Sequence, residues 1–247
     1  METPYLAFQL YSPLAAWGEQ AVGETRRSST HPGKSSIVGI VGAALGLQRV
    51  EEGLLQDLDR QIGMGVKVFS SGDALRDYHT SQVPKPRRKG EYMTRKDEME
   101  APDDRISTIL SSREYRMESG WVVALWSRSA SGSFSLEKIG EALRHPAFCL
   151  YLGRKSCPPA LPLNPVLRSS TSLKNVLDEY PESMPLTDMA RNSIRYFWEG
   201  SPQEQGGMVP GMAWDQIVPR YDICGNRRQW QFRPREEFMS FGERTAG

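Results

Sequence analysis

Apolar and polar positions alternate from Tyr5 to Tyr11, with Leu6, Phe8 and Leu10 on one side and Tyr5, Ala7, Gln9 and Tyr11 on the other. This is the period of a β-strand with one buried face. A long connection rich in Gly and Ser follows from Ser12 to Thr30. The polar turn Pro32, Gly33, Lys34, Ser35, Ser36 then runs into an apolar segment with helical spacing, which predicts a helix from Ser35 to Leu47. Gly39, Gly42 and Gly46 recur along it at intervals of three and four, leaving a flat face for close packing on a sheet. Glu51 to Arg60 has the spacing of a second, short helix, and Val66, Val68 and Phe69 mark a strand over Gly65 to Ser70.

Leu75 to Val83 reads as a further strand. From Pro84 to Arg116 apolar residues thin out, and a basic run (Lys85, Arg87, Arg88, Lys89, Arg95, Lys96) gives way to an acidic one (Asp97, Glu98, Glu100, Asp103, Asp104). Such a segment cannot build its own core and is expected to project as a hairpin or loop. Trp121 to Trp126 is a dense apolar run suited to a central strand. Leu136 to Leu143 is amphipathic and stopped by Pro146, and Phe148 to Leu152 predicts one more short strand. The resulting order is that of an α+β, ferredoxin-like βαββαβ unit. Beyond Gly153, Pro158, Pro159, Pro162 and Pro165 suggest a linker into a smaller lobe, with strands expected at Ile194 to Trp198, Ile217 to Ile223 and Arg228 to Phe232.

Composition narrows the function classes. With 31 Lys plus Arg against 30 Asp plus Glu, any nucleic-acid binding rests on a local patch and not on a global field. No segment approaches the roughly 20 apolar residues that span a bilayer. The N-terminus lacks the basic flank and cleavage site of a secretory signal, so a cytoplasmic protein is expected. Cys149, Cys157 and Cys224 have neither zinc-site spacing nor the density of a disulfide framework, and are read as reduced.

The start of the predicted helix is a natural anion site, because its first N–H groups lack partners within the helix. Gly33, Lys34, Ser35 resembles the end of a P-loop, but Ser28 stands where the motif needs glycine and the residues before it are polar. Ser35 as a plain helix cap remains the simpler alternative. His31, His79 and His145 show no spacing that brings them together, and His79 in Asp77, Tyr78, His79, Thr80 has the most suggestive setting. Tyr151 to Pro158 places a glycine and the cations Arg154 and Lys155 directly after a strand. That arrangement suits an RNA phosphate beside an aromatic face, or an ordinary surface turn. Arg227, Arg228, Trp230, Phe232, Arg233 and Arg235 repeat the mixture near the C-terminus.

Pro13 with Ala16, Trp17 and Gly18, the Pro32 to Leu47 segment, Leu75 to Thr80 and Tyr151 to Pro158 occur together in order across nearly the whole chain. In these blocks the sequence resembles the CasD family, the RNA-binding subunit of the type I-E CRISPR complex Cascade, within the RAMP superfamily. The resemblance implies a ferredoxin-like, RRM-like domain over residues 1–153 with a thumb hairpin at Pro84 to Arg116, and a small β-rich lobe over 154–247. It implies a non-catalytic, cofactor-free subunit that caps the 5′ handle of the crRNA. Its neighbours would be the backbone and large subunits, with target DNA reached through the assembled complex and no membrane partner. On this reading Lys34, Ser35, Arg154 and Lys155 grip handle phosphates, helped by Arg26 and Arg27. Arg87, Arg88 and Lys89, with Arg95 and Lys96, reach RNA or the backbone subunit from the thumb. Trp17 and Gly18 are expected to shape their loop. A related subtype cuts the precursor with its CasD-like subunit, so a metal-independent endoribonuclease using Tyr78 and His79 stays open.

Overall fold

The computed structural model describes residues 2–21, 23–85, 91–101, 106–129, 132–186, 194–200, 212–226, 229 and 231–242. In chain order the elements are β1 (Thr3–Ala15), β2 (Trp17–Gly18), β3 (Thr25–Arg26), β4 (Ser28–Ser29), α1 (Lys34–Ala44), α2 (Glu52–Gln61), β5 (Ile62–Ser70), β6 (Asp73–Pro84), α3 (Arg95–Met99) and β7 (Ile106–Ser127). There follow α4 (Leu136–Arg144), β8 (Val166–Ser170), α5 (Leu173–Asp178), β9 (Arg195–Trp198), β10 (Gln216–Asn226) and β11 (Gln231–Phe241).

Among the described residues nine strands join one sheet, whose main path runs β10-β11-β9-β5-β7-β1-β8. Its centre is β7, paired antiparallel with β1 from Tyr5 opposite Trp126 to Ala15 opposite Arg116, and with β5 on its other side. Alternation along these strands sorts the core into two layers. Leu6, Phe8, Leu10, Trp121, Val123 and Leu125 pack with Ile37, Val38 and Val41 of α1 and with Ile139 and Leu143 of α4. On the opposite face Tyr5, Ala7, Val122, Ala124 and Trp126 pack with Leu173, Val176 and Leu177 of α5. The period-two reading of Tyr5 to Tyr11 and the apolar run Trp121 to Trp126 are thus the two halves of one hydrogen-bonded pair.

Both sides of this sheet are covered, which explains why β5 is buried along its whole length, with Ile62, Met64, Val66 and Val68 on the α1 side and the small or polar Gly63, Gly65 and Lys67 between them. It begins at Ile62, directly after α2, earlier than its β-branched run suggests. β6 and the first half of β7 form a long antiparallel arm, in register from Asp73 opposite Met117 to Pro84 opposite Ile106. The last third of the segment expected to project, from Ile106 to Arg116, is therefore β-strand. In the connection Thr94 caps α3 by accepting a hydrogen bond from Asp97 N, while Asp97 accepts one from Thr94 N.

One strand expectation is corrected. Phe148 to Leu152 is not a strand: Leu152 N donates to Cys157 O at 2.7 Å, and Leu152 O accepts from Ala16 N at 3.0 Å, so its backbone is spent on a turn and a loop contact. The strand beside β1 is instead β8, beyond the prolines, where Thr3 lies opposite Ser170 and Ala7 opposite Val166. The last strand, expected over Arg228 to Phe232, is described from Gln231 and runs on to Phe241, while Arg228 lies outside the described residues. Hydrogen-bonded pairing also continues across residue 153, since β8 joins β1 and β9 joins β5.

Candidate nucleic-acid interface

The start of α1 is already occupied. Asp222 of β10 accepts a hydrogen bond from Lys34 N at 2.7 Å, so a carboxylate of the same chain caps the helix in place of an external anion. Gly33 makes room for it, because a Cβ there would stand 2.5 Å from Asp222 Oδ2. Ser35 is not the cap.

Lys34 corrects the expectation of a phosphate-gripping lysine. Its side chain is 1% exposed, and Nζ donates to Ile62 O and pairs with Glu199, which also meets Arg128 at 3.5 Å. Burial lowers the Lys34 pKa, with Glu199 opposing. A second buried network lies beside it. Arg235 donates to both carboxylate oxygens of Asp222, at 2.6 and 2.8 Å, and to Glu237 at 2.7 Å. His31 meets Glu237 at 2.8 Å while its ring stacks on Phe197. Burial acts to raise the Glu237 pKa, but His31, Arg235 and Arg220 outweigh it and bring the group down to about 2. These ions tie the β10–β11 hairpin to α1 and face inward.

The outward side of α1 is different. Ser35, Ser36, Gly39, Ile40 and Ala43 form the floor of an open groove of about 610 Å³. Arg26, Arg27, Arg113 and Arg154 line it, with Tyr151 and Phe232 as aromatic walls and Glu19 as an acid at its edge. The groove continues past Gly18, Ser35 and Ser36 toward Arg220 and Tyr221.

Three of the sequence blocks meet here for a definite reason. Gly153 has φ +88°, and a Cβ on it would lie 1.7 Å from Ala16 O, so only glycine lets the Tyr151 to Pro158 turn close on the segment before Trp17. Trp17 is buried edge-on against Trp121, with ring centroids 5.2 Å apart, which makes it structural as expected. Arg154 donates to Glu114 O at 3.0 Å and Arg26 O at 3.3 Å, and its guanidinium lies 4.5 Å over the Tyr115 ring. It therefore anchors β3 and β7 to the turn while contributing charge to the groove. The Leu75 to Thr80 block acts through its partner strand: Leu75 lies opposite Tyr115 and Asp77 opposite Arg113.

Arg26, Arg27, Ser35 and Arg154 are thus brought together, while Lys155 is exposed outside the lining of the groove. Arg87, Arg88 and Lys89 lie outside the described residues. Arg113 is the residue that sequence reading missed, because it sits in a segment scored by its charge runs; its signal is the cross-strand place opposite Asp77. Tyr78 and His79 are neighbours on β6 and so project to opposite faces, which separates the pair expected to act together. Tyr78 is well exposed, and His79 Nε2 lies 2.5 Å from Asp77 Oδ2. His31 and His145 are elsewhere, buried against Phe197 and exposed beside Glu141. Among the described residues no helix is long and apolar enough to cross a membrane.

Sheet, helices and groove together define a mixed α/β protein with a large antiparallel sheet and a cationic, aromatic-flanked cleft, the chemistry of a polyanion binder. The family model described as CRISPR-associated protein (Cas_Cas5) matches residues 5–236, and the chain belongs to that family. It is 30% identical over 167 residues to the CRISPR system Cascade subunit CasD of Escherichia coli (strain K12), a match spanning 64% of this chain and 69% of that one. A chain of a CRISPR RNA-guided surveillance complex superposes with a TM-score of 0.63 at 21% identity, covering 100% of this chain and 92% of the other. A Cas protein crystal structure gives 0.55 at 23% identity, covering 96% and 94%. At these identities the structural matches bear on the fold.

Proposed function

We propose that this chain is a guide-RNA-binding subunit of a CRISPR surveillance complex and holds the 5′ handle of the crRNA in the arginine groove on α1. The observation that carries the reading is the convergence of Arg26, Arg27, Arg113 and Arg154, from separate segments of the chain, on one cleft with Tyr151 and Phe232 beside it. Arginines take phosphates while aromatic faces accept unpaired bases. The handle runs along α1 and continues toward Arg220 and Tyr221. Lys34 takes no part, because its charge is satisfied inside the protein.

The strand order β8-β1-β7-β5, with α1 and α4 packed on one face, supports a ferredoxin-like, RRM-like core completed by β8. The β6–β7 arm is the thumb that reaches a backbone subunit, and the basic residues 87–89 belong to its connection. Residues 1–153 supply most of the groove and 154–247 complete it through Arg154 and Phe232. The subunit works in the cytoplasm, next to the backbone and large subunits, and meets target DNA only through the assembled complex.

Binding of labelled handle RNA by the purified protein tests the reading. Wild-type protein retains the RNA in a salt-sensitive manner, and the double variant Arg27→Glu, Arg113→Glu releases it. Unchanged retention by that variant would sink the proposal. The hydrogen-bonded Asp77–His79 pair keeps a ribonuclease as the second reading, with His79 acting without Tyr78. Incubation with repeat RNA in chelator separates the two: site-specific cutting that His79→Ala abolishes establishes the enzyme, and intact RNA removes it.

A further inference from the structure

The interior of α1 carries glycine at positions that serve different ends. A Cβ on Gly42 would come within 2.8 Å of Leu55, so that glycine lets α2 close on α1. A Cβ on Gly39 would meet nothing within 4 Å. Glycine is the least favourable residue short of proline inside a helix, and no packing neighbour accounts for it at position 39. Gly39 instead lies in the floor of the arginine groove, between Ser36 and Ala43.

We infer that Gly39 is a contact residue for the groove's ligand: the base of an unpaired nucleotide lies flat on the bare backbone of α1 there, with its phosphate turned to the arginines. The surroundings suit this division of labour. Gly39, Ile40, Ala43 and Leu150 form a low apolar floor that asks no hydrogen bond of a base face, and Arg27, Arg113 and Arg154 supply the charge for a phosphate. At about 610 Å³ the groove falls in the range, roughly 300–1,000 Å³, that encloses a small organic ligand. Any side chain at position 39 rises into the space the base requires. The inference rests on the reading of the groove as an RNA site and adds the point of closest approach.

The test compares full-length wild type with Gly39→Ala, Gly39→Leu, Gly53→Leu and Arg113→Glu, measuring melting temperature and affinity for single-stranded handle RNA. Gly53, in the first turn of α2, is equally open to a Cβ but lies outside the groove, and serves as the control. Melting temperatures of the Gly39 variants should equal or exceed that of wild type. Affinity should fall in the order Gly, Ala, Leu, by about tenfold or more for leucine, with Gly53→Leu binding like wild type. If Gly39→Leu binds normally while Arg113→Glu does not, the inference fails and the groove stands. If both bind normally, the groove reading fails and takes the inference with it. Should the leucine variant not fold, Gly39→Ala decides: wild-type affinity at an equal or higher melting temperature overturns the inference.

Discussion

Single residues here owe their identity to what the fold brings against them. Gly153 combines a left-handed backbone with a 1.7 Å approach to Ala16 O, so Gly153→Ala should destabilise the protein by about 2 kcal/mol or more in chemical denaturation. The turn it closes carries Arg154, and RNA affinity should fall along with stability. Lys34 gives the opposite separation. Lys34→Met leaves Glu199 buried with only the more distant Arg128, at an expected cost of about 3 kcal/mol. The double variant Lys34→Met, Glu199→Gln should recover most of that loss, and both should bind handle RNA normally per folded molecule. A large loss of affinity in the stable double variant would restore Lys34 to the binding site.

At the level of elements, the ionic layer between α1 and the β10–β11 hairpin joins distant parts of the chain. Asp222 caps α1 and pairs with Arg235, so Asp222→Ala removes a cap and leaves the nearly buried Arg235 guanidinium with Glu237 as its remaining carboxylate, together costing about 3 kcal/mol. Asp222→Asn keeps an acceptor for Lys34 N and should cost less; denaturation of the two side by side checks the order. The same layer sets an acid limb. The folded pKa of Glu237, about 2, lies below its ordinary value of 4.5, so its stabilisation is fully present above that value and is lost as pH falls from about 4.5 toward 2. The contribution is of the order of 3 kcal/mol. Unfolding free energy measured between pH 6 and pH 2 should fall across that window, and Glu237→Gln should be less stable at neutral pH with a flatter acid limb.

For the whole molecule, a net charge of +1 means that RNA affinity depends on the arginines being gathered on one side. Log affinity for the handle should fall linearly with log salt, and neutralising Arg27 or Arg113 should each reduce the slope by about 0.7, the value for one phosphate on a single strand. An unchanged slope would mean that those side chains face water in the complex. Local periodicity was enough to place β1, the cores of α1, α2 and α4 and the apolar half of β7, because each carries its buried face in its own residues. Ser35 and Arg154 came forward from the helix start and the turn at Tyr151 to Pro158, and Arg26 and Arg27 only with the family resemblance; local periodicity supplied none of them. It was not enough for β8, whose exposed Val166–Ser170 earns its place only by pairing with β1, nor for Phe148 to Leu152, where a turn outcompetes a strand for the backbone hydrogen bonds. Tertiary structure alone decided that Lys34 turns inward to Glu199, that Asp222 fills the anion site of α1, and that Arg113 joins the groove. Alternation and helical spacing are encoded among neighbours a few residues apart, whereas a charge is steered by partners far along the chain, such as Glu199 for Lys34 and Asp222 for the start of α1.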